Sequence, residues 1–360
     1  LLRCAYPYDR WEIIIADGMS TDNTREEITR VADGSPVSIC VVDNPRRITP
    51  IALNLALIRA RGDVIIRVDA HAEYGEDYVT RCVRVLDEQR ADNVGGPVIT
   101  LPGADTPMAR AIALATAHPF GVGNSHFRTM REAREVDTVP FGCFRLRVFQ
   151  QVGLFDERLA RNQDYELNGR IRQAGGRIFL DPRLESTYYN RPSLRALLRQ
   201  AWANGFWNAM THYLHPYSLC LRHELPVAFA LGAVLAVLSA LWAIIAPLPP
   251  VLQWVAPVLW GAYLLYVLLD VLVATSLAAR GGLRLWPALL AVFPSFHFVY
   301  GAGIAWGWTC ALLHRHPWRK GEGIPSWHER RQELAGDAGD EVIGLVAKTH
   351  EITVRESVAE

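Results

Sequence analysis

The sequence predicts an α/β domain with a largely parallel sheet, followed by helices that span a membrane. Strand and helix signals alternate from the beginning of the 360-residue chain, as expected for repeated βα units. The stretch from Leu225 to Leu269 contains no Asp, Glu, Lys or Arg, so it cannot form an ordinary soluble surface. Two early apolar runs each end at an acidic residue, Asp17 and Asp69, which suggests a ligand site at the carboxyl edge of the sheet.

Helix and turn signals separate the predicted elements before residue 100. Thr24 and Glu27 form a capping box at the beginning of one helix. Thr49-Pro50 begins another helix, which Gly62 ends. In order, we expect strand 11–16, helix 24–34, strand 37–42, helix 49–62, strand 64–68, helix 76–90 and strand 93–99.

The pattern is less regular after residue 100. Residues 100–140 are rich in Pro and Gly and are expected to form a long segment over the sheet, which either contacts substrate or takes no part in chemistry. A further helix begins near Gln163. The segment 193–214 is predicted to be an amphipathic helix, and Trp202 and Trp207 favour a position at a membrane interface. The alternative is a buried helix that packs against the sheet.

Three apolar stretches are long enough to cross a bilayer. Spans are expected at about 227–248 and 251–276, joined by a proline-rich turn. The third stretch, 285–313, contains Pro and Gly and forms either one kinked span or a hairpin that turns back within the membrane. The expected location is the inner (plasma) membrane, which the chain crosses more than once, with the catalytic domain in the cytoplasm.

Basic residues at the ends of the spans indicate their orientation. Arginines at 191, 195, 199, 280 and 284 favour a cytoplasmic N-terminal domain by the positive-inside rule. Three spans would place the basic tail residues 315, 319 and 320 on the far side, against the same rule, so the topology after 285 stays open. The formal net charge of zero gives no support to nucleic-acid binding.

Asp69 and His71 follow the apolar run Val64–Val68 and are two residues apart. Side chains at i and i+2 of a strand point the same way, so a carboxylate oxygen and an imidazole nitrogen can both reach one divalent ion beyond the strand. Asp17 stands at the end of another strand. The two acidic strand ends predict one pocket for a nucleotide and a metal ion.

Three motifs together resemble family 2 glycosyltransferases with the GT-A fold. Residues 17–24, DGMSTDNT, resemble the DGxSxDxT signature of that family. Asp69-Ala70-His71 lies where the family has its DxD motif, and Gln163-Asp164 lies where it has an acidic pair. Over roughly residues 6–210 the chain is similar to membrane-bound exopolysaccharide glycosyltransferases of the succinoglycan type.

The resemblance implies roles for particular residues. Asp164 would be the catalytic base of an inverting displacement, with Glu166 as the alternative. His71 and Asp69 would hold a divalent cation, with Mn²⁺ favoured over Mg²⁺ because one ligand is an imidazole. The expected substrate-binding residues are Asp17, Asp22, Asp69, Asn54 and Gln163, although Asp22 is equally suited to support its helix.

Two departures from the family pattern also matter. The family's first strand would precede residue 1, so the sequence is expected to be a fragment of a longer protein. The QxxRW motif of processive synthases is not intact, because Gln200 is followed by Ala201-Trp202-Ala203-Asn204. Addition of a single sugar is therefore expected rather than polymerisation.

These inferences give one expected organisation and function. Residues 1–190 form a GT-A domain without its first strand, 191–224 form interface helices, 225–313 form the transmembrane region and 314–360 form a polar tail. The expected reaction moves a sugar from a UDP-sugar to a polyprenyl-diphosphate-linked saccharide during exopolysaccharide synthesis. The expected partners are membrane lipid and a polysaccharide assembly complex. The alternatives are a polyprenyl-phosphate sugar synthase and a non-catalytic membrane subunit that binds a nucleotide-sugar.

Overall fold

The computed structural model describes residues 2–70, 72–123, 125–218, 221–319 and 322–337. Of the expected polar tail, residues 338–360 lie outside these ranges, and so does His71. Within them, α-helices and β-strands alternate up to residue 189, and long helices follow.

The strands of the N-terminal part are short. In chain order they are β1 Glu12–Asp17, β2 Ser38–Asp43, β3 Val64–Ile66, β4 Ala72–Tyr74, β5 Asn93–Gly95, β6 Val98–Leu101, β7 Arg134–Glu135, β8 Cys143–Arg145, β9 Ile178–Leu180 and β10 Ser186–Tyr189. The single strand expected at 93–99 is divided into β5 and β6. Gly96 stands at the division, where a Cβ atom would lie 1.9 Å from the Leu184 carbonyl oxygen, so only glycine fits there.

The helices follow the expected order, and the last four before the tail are the longest. They are α1 Thr24–Asp33, α2 Thr49–Leu57, α3 Tyr78–Glu88, α4 Pro107–Thr116, α5 Pro119–Val122, α6 His126–Thr129, α7 Leu146–Val152, α8 Gln163–Gln173, α9 Leu194–Leu214, α10 Leu221–Ile245, α11 Pro250–Gly281, α12 Trp286–Leu312 and α13 Trp327–Asp337. The capping box expected for α1 is wrong. Asn23 precedes the helix without a side-chain cap, and Glu27 pairs with Arg30 instead.

The strands form three hydrogen-bonded sheets with the orders β1-β2, β4-β10-β6 and β3-β8-β5-β9-β7. The expectation of a largely parallel sheet is wrong, because β8 runs antiparallel to both β3 and β5, and β7 runs antiparallel to β9. Parallel neighbours require a crossover connection that returns the chain to the same end of the sheet. The long segment after β6 instead leads the chain into β8 in the opposite direction to β3 and β5. The pairs β1-β2, β5-β9 and β6-β10 are parallel.

The core of the N-terminal part lies between the five-stranded sheet and the helices α2, α7 and α8. Three phenylalanines at its centre, Phe144, Phe149 and Phe155, are almost fully buried and contact one another. Burying a side chain of this size stabilises the fold by about 1.5–3 kcal/mol. Trp327 and Leu334 of α13 pack against the same cluster, so the C-terminal helix covers part of this core.

The apolar helices α10, α11 and α12 are each long and apolar enough to cross a membrane, judged by length and composition. The far ends of α10 and α11 project from the rest of the protein: Ile245 is 84% exposed and Trp254 is 82% exposed. By contrast, α12 is covered along much of its length by α9 and α4.

Glycines allow α9 and α12 to approach closely. A Cβ atom on Gly205 of α9 would lie 2.1 Å from the Tyr300 carbonyl oxygen, and one on Gly303 of α12 would lie 2.4 Å from the Trp202 carbonyl oxygen. The helix α9 therefore packs along the third apolar helix rather than against the sheet. Trp202 itself remains 42% exposed.

Candidate active site

The carboxylates of Asp69 and Asp164 lie on either side of one guanidinium, that of Arg67. The Arg67 backbone continues β3 by donating to the Gly142 carbonyl oxygen at 3.0 Å. Its side chain is only 8% exposed, its Nε lies 3.2 Å from Asp69 Oδ1, and its Nη1 donates to Asp164 Oδ1. This ion pair connects the end of β3 with the beginning of α8, although 97 residues separate its two partners.

Asp164 occupies the first turn of α8, where the partial positive charge of a helix N-terminus favours a carboxylate. The preceding Asn162 has a left-handed conformation with φ of 63°, and its amide donates to Asn208 of α9 at 3.3 Å. Burial raises the pKa of the Asp164 carboxyl, and the charge of Arg67 opposes that rise without cancelling it. The side chain is still 29% exposed, so another molecule can reach it.

Asp69 is held by its backbone as well as by Arg67. Its backbone N–H donates to the Tyr74 hydroxyl at 3.0 Å, and its side chain is 23% exposed. Among the described residues, no group of three His, Cys, Asp or Glu side chains lies close enough to hold a metal ion. The predicted metal ligand His71 is outside those residues. Of the two predicted metal ligands, the structure therefore describes only the Asp69 carboxylate.

Asp17 lies at the end of β1 and is 5% exposed. It accepts hydrogen bonds from the Ser20 hydroxyl at 2.5 Å and from Arg25 Nε at 2.6 Å. The Ser20 hydroxyl lowers the pKa of Asp17, burial opposes this, and Arg25 lowers the pKa further. Arg25 also pairs with Asp43 at the end of β2, so the acidic ends of both strands share one cation.

The structure does not bring every predicted residue to one point. Asp22 accepts from the Thr24 hydroxyl at 2.6 Å at the beginning of α1. Asn54 is buried. Its amide nitrogen donates to the Phe155 carbonyl oxygen, and its amide oxygen accepts from the Phe155 N–H, each at 2.9 Å. Gln163 is buried at the beginning of α8. Within the described ranges, no hydrogen bond or ion pair joins Asp17 or Asp22 to the Arg67 group.

Glu166, the alternative base, lies in a buried ion pair. Its side chain is fully buried and pairs with Arg170 Nε at 2.6 Å, and the Tyr217 hydroxyl donates to it at 2.8 Å. Asp156 lies beside this pair and accepts from His215 at 2.7 Å. Burial raises the pKa of Asp156, but hydrogen bonds from His215 and Arg158 outweigh burial and hold the pKa far below its usual range.

The sequence prediction missed Arg67 and the polar cluster in which the exposed Tyr217 bonds to buried side chains, those of Asp156, Glu166 and His215. Arg67 could have been found, because it is the one charged residue in an otherwise apolar strand and lies two positions before Asp69, hence on the same face. No sequence signal joins Asp156 to His215, which are 59 residues apart.

The C-terminal tail packs against the same region. The Gly323 and Pro325 carbonyls accept from the backbone N–H groups of Glu157 and Leu154 at 2.9 and 3.0 Å. Arg330 pairs with the Glu157 carboxylate at 3.2 Å, and Arg46 pairs with Glu322. The chain after the apolar helices thus returns to the N-terminal part, next to the cluster that supports α8.

Comparison with known proteins identifies the family. The family model described as Glycosyl transferase family 2 matches residues 2–153. The succinoglycan biosynthesis protein ExoA of Rhizobium meliloti (strain 1021) is 33% identical over 241 residues, which cover 65% of this chain and 71% of that protein.

A second relative comes from Methanococcus voltae and is named dolichyl N-acetyl-alpha-D-glucosaminyl phosphate 3-beta-D-2,3-diacetamido-2,3-dideoxy-beta-D-glucuronosyltransferase. It is 26% identical over 207 residues, which cover 56% of this chain and 64% of that protein. Among solved structures, S. aureus TarS 1–349 in complex with UDP-GlcNAc has a TM-score of 0.42 at 13% identity, with 90% of this chain and 92% of that chain covered.

The family match and the mixed α/β sheets confirm the predicted fold class, a GT-A type domain followed by apolar helices. The level of identity to the Rhizobium protein, over most of that protein's length, confirms the family and the enzyme class. The chain belongs to glycosyl transferase family 2 and is a glycosyltransferase.

Proposed function

We propose that this glycosyltransferase inverts the configuration of one sugar as it moves the sugar from a UDP-sugar to a polyprenyl-diphosphate-linked saccharide in exopolysaccharide synthesis. The observation that carries the proposal is the pair of Asp69 and Asp164 on one guanidinium. It brings the residue at the DxD position of the motif next to a half-buried, accessible carboxylate in the first turn of α8.

Asp164 is the catalytic base in this reaction. An acceptor hydroxyl oxygen attacks C1 of the sugar, the bond from C1 to the diphosphate oxygen breaks, and UDP leaves with the bonding electrons. The hydroxyl proton passes to Asp164, whose raised pKa makes it a better proton acceptor than an ordinary surface carboxylate. Arg67 positions this carboxylate and supplies positive charge beside the reacting atoms.

The remaining predicted residues contribute to binding the donor. We assign Asp17 to the uracil or ribose, with Asp22 and Gln163 supporting the donor pocket. Ser20 and Arg25 hold the Asp17 carboxylate in one orientation, as a residue that selects a base or sugar requires. Asn54 acts indirectly in this scheme, because its amide fixes the backbone at Phe155 beneath α8.

A divalent cation fits the donor chemistry at the end of β3. Asp69 provides a partly exposed carboxylate, His71 is two residues further along the chain, and this combination of oxygen and imidazole ligands suits Mn²⁺ better than Mg²⁺. When bound, the ion would offset the negative charge that develops on the leaving diphosphate. Asp69 and His71 are therefore the proposed metal ligands.

The acceptor and pathway assignments are supported by the relatives and by the apolar helices. One relative is named for succinoglycan biosynthesis, and the other is named for transfer to a sugar carried on dolichyl phosphate. A chain with helices able to cross a membrane is suited to a lipid-linked acceptor. A polyprenyl-phosphate sugar synthase would use the lipid phosphate itself as the nucleophile, and a non-catalytic subunit would bind the donor without turnover.

The test uses the purified full-length protein in detergent with a panel of UDP-sugars and two acceptors, a polyprenyl-diphosphate saccharide and a polyprenyl phosphate. We expect mass spectrometry to show one added hexose-type unit on the diphosphate-linked acceptor, and we expect EDTA to stop transfer and Mn²⁺ to restore it. A product with one sugar and one phosphate identifies the synthase instead. Donor binding without any product would support the non-catalytic alternative.

We further propose that α10 and α11 cross the membrane as a hairpin and that α12 does not end on the far side. The tail residues 322–337 pack against the N-terminal domain, as the bonds of Gly323, Pro325 and Arg330 show, so both must lie on the same side. An even number of crossings satisfies this, whereas three do not. The basic residues beside the hairpin favour the cytoplasm for that side.

Cysteine labelling tests this topology. In a chain whose native cysteines are replaced, Asp105→Cys marks the N-terminal domain, Glu329→Cys marks the tail and Pro249→Cys marks the tip of the hairpin. We expect an impermeant maleimide added outside intact cells to label only the hairpin variant. Labelling of the tail together with the hairpin would show three crossings.

A further inference from the structure

We propose that Arg128, Arg161 and Arg191 form a binding site for the phosphate ester of the lipid-linked acceptor, a site that lies between the catalytic helix and α9. The inference rests on the proposed function, because it names the part of the acceptor that this protein holds. The three arginines come from separate segments: the short helix α6, the loop before α8 and the loop before α9.

The three side chains have amide, hydroxyl or aromatic partners. Arg161 donates to Asn204 Oδ1 at 3.0 Å, and Arg191 Nε donates to Gln200 Oε1 at 3.0 Å. Arg128 donates to the Thr100 hydroxyl at 3.5 Å. In the part of the chain that the structure describes, none of the three pairs with a carboxylate.

Tyr188 of β10 links the group. The Arg128 guanidinium lies 5.8 Å from the centroid of the Tyr188 ring, and Tyr188 is near enough to Arg161 to raise the pKa of that guanidinium. Burial lowers the pKa of Arg161, and the nearby charge of Arg191 lowers it further. Burial likewise lowers the pKa of Arg128. Arg161 and Arg191 are bonded to Asn204 and Gln200, which are one turn apart on α9, and the three half-buried guanidinium groups have no counter-ion among the described residues.

This arrangement differs from that of three other arginines in the same domain. Arg67, Arg158 and Arg170 are also shielded from solvent, and each of them pairs with at least one carboxylate. Partly desolvated guanidinium groups that lack a carboxylate carry an unfavourable free energy, which a bound anion would relieve. Guanidinium groups bind phosphate and diphosphate oxygens with two parallel hydrogen bonds, so a phosphate ester is the ligand that best fits them.

The position favours the acceptor over the donor as the source of that phosphate. Arg161 is three residues before Asp164, and its partner Asn204 belongs to α9. The helix α9 packs along α12 and leads towards the first apolar helix, α10. An anion held by Arg161 and Arg191 would thus lie between the proposed base and the membrane. A lipid-linked saccharide needs its head group there if its sugar is to reach Asp164.

Binding measurements in detergent test the site without relying on turnover. The probes are geranyl diphosphate, inorganic diphosphate and UDP, each titrated calorimetrically into the full-length protein. We expect Arg161→Gln and Arg191→Gln each to weaken geranyl diphosphate and inorganic diphosphate by about tenfold, because each variant removes a charge-assisted pair of hydrogen bonds. UDP affinity should stay within about twofold of the wild type.

Arg199→Gln is the matched control, since Arg199 is an exposed arginine of α9 that should leave all three affinities unchanged. Arg161→Lys retains the charge and should restore part of the binding, which a loss of folding would not allow. Weaker UDP binding in the glutamine variants would assign the cluster to the donor. Unchanged diphosphate binding in those variants would show that the arginines bind no diphosphate. Either result overturns the inference. A wild type that binds geranyl diphosphate through these arginines but transfers no sugar would instead refute the proposed function alone.

Discussion

Replacing Asp164 by Asn is expected to lower the rate of sugar transfer by about 10²–10⁴-fold, the usual contribution of a positioned general base. The amide has the same shape as the carboxylate but cannot accept the acceptor's proton. Asp164 is in the first turn of α8 and is partly exposed, so the substitution leaves no buried cavity. The initial rate of transfer from the preferred UDP-sugar measures the effect, and calorimetric UDP binding should be unchanged.

Asp105→Asn provides a matched control, because Asp105 also pairs with an arginine but is highly exposed on the surface. It should retain wild-type rates. The wild-type pH profile gives a second measurement on the same residue. The raised pKa of Asp164 predicts that activity falls on the acid side at a pH above 3.8, the usual value for Asp, because protonation removes the base. Full turnover by Asp164→Asn would show that another group takes the proton.

The sequence predicted the local elements well where a short pattern determines them. The helix expected at 193–214 is found at Leu194–Leu214, and the strand expected at 37–42 is found at Ser38–Asp43. Asp69 and Asp164 were predicted from motifs, and in the structure both carboxylates pair with the Arg67 guanidinium. Strand direction was not predictable in the same way. The antiparallel entry of β8 depends on the path of the irregular segment before it, and no periodicity encodes that path.

The surroundings of α9 show a second limit of sequence reasoning. Its tryptophans suggested a membrane interface, but the spacing of Gly303 and Gly307 on α12 and of Gly205 on α9 determines which helix packs against it. Small residues permit two helices to approach closely, but they do not indicate which helix is the partner, since many glycines in the chain lie outside helix contacts. The partner of α9 could therefore be learned only from the folded structure.

The polar cluster beneath α8 connects the apolar helices to the site. His215 and Tyr217 belong to the turn between α9 and α10, and they bond Asp156 and Glu166. The tail residue Arg330 binds Glu157, next to Asp156. The helix that carries Asp164 is thus held from one side by the segment that leads into the apolar helices and from the other by the segment that follows them.

Replacing Glu166 by Ala is expected to lower the free energy of unfolding by about 3–5 kcal/mol, the cost of removing one partner from a buried ion pair. The substitution leaves the Arg170 guanidinium buried without its carboxylate and removes the acceptor of the Tyr217 hydroxyl. Arg170 keeps its bonds to the carbonyls of Gly153 and Leu154, which relieve only part of the cost because they carry no net charge. Chemical denaturation in detergent, followed by tryptophan fluorescence, measures the loss.

Tyr217→Phe separates the ion pair from its supporting hydrogen bond. It removes one hydrogen bond to a charged group and should cost only about 1.5–3 kcal/mol, because the Glu166 and Arg170 side chains remain paired. If the two variants lost equal stability, the ion pair would contribute no stability beyond that of the tyrosine hydrogen bond.

Activity per folded molecule distinguishes the two acidic residues of α8. Glu166→Ala should keep measurable transfer below its unfolding temperature, since a carboxylate enclosed by Arg170 and Tyr217 cannot meet an acceptor hydroxyl. Asp164→Asn should remain folded and show the large loss of transfer rate described above.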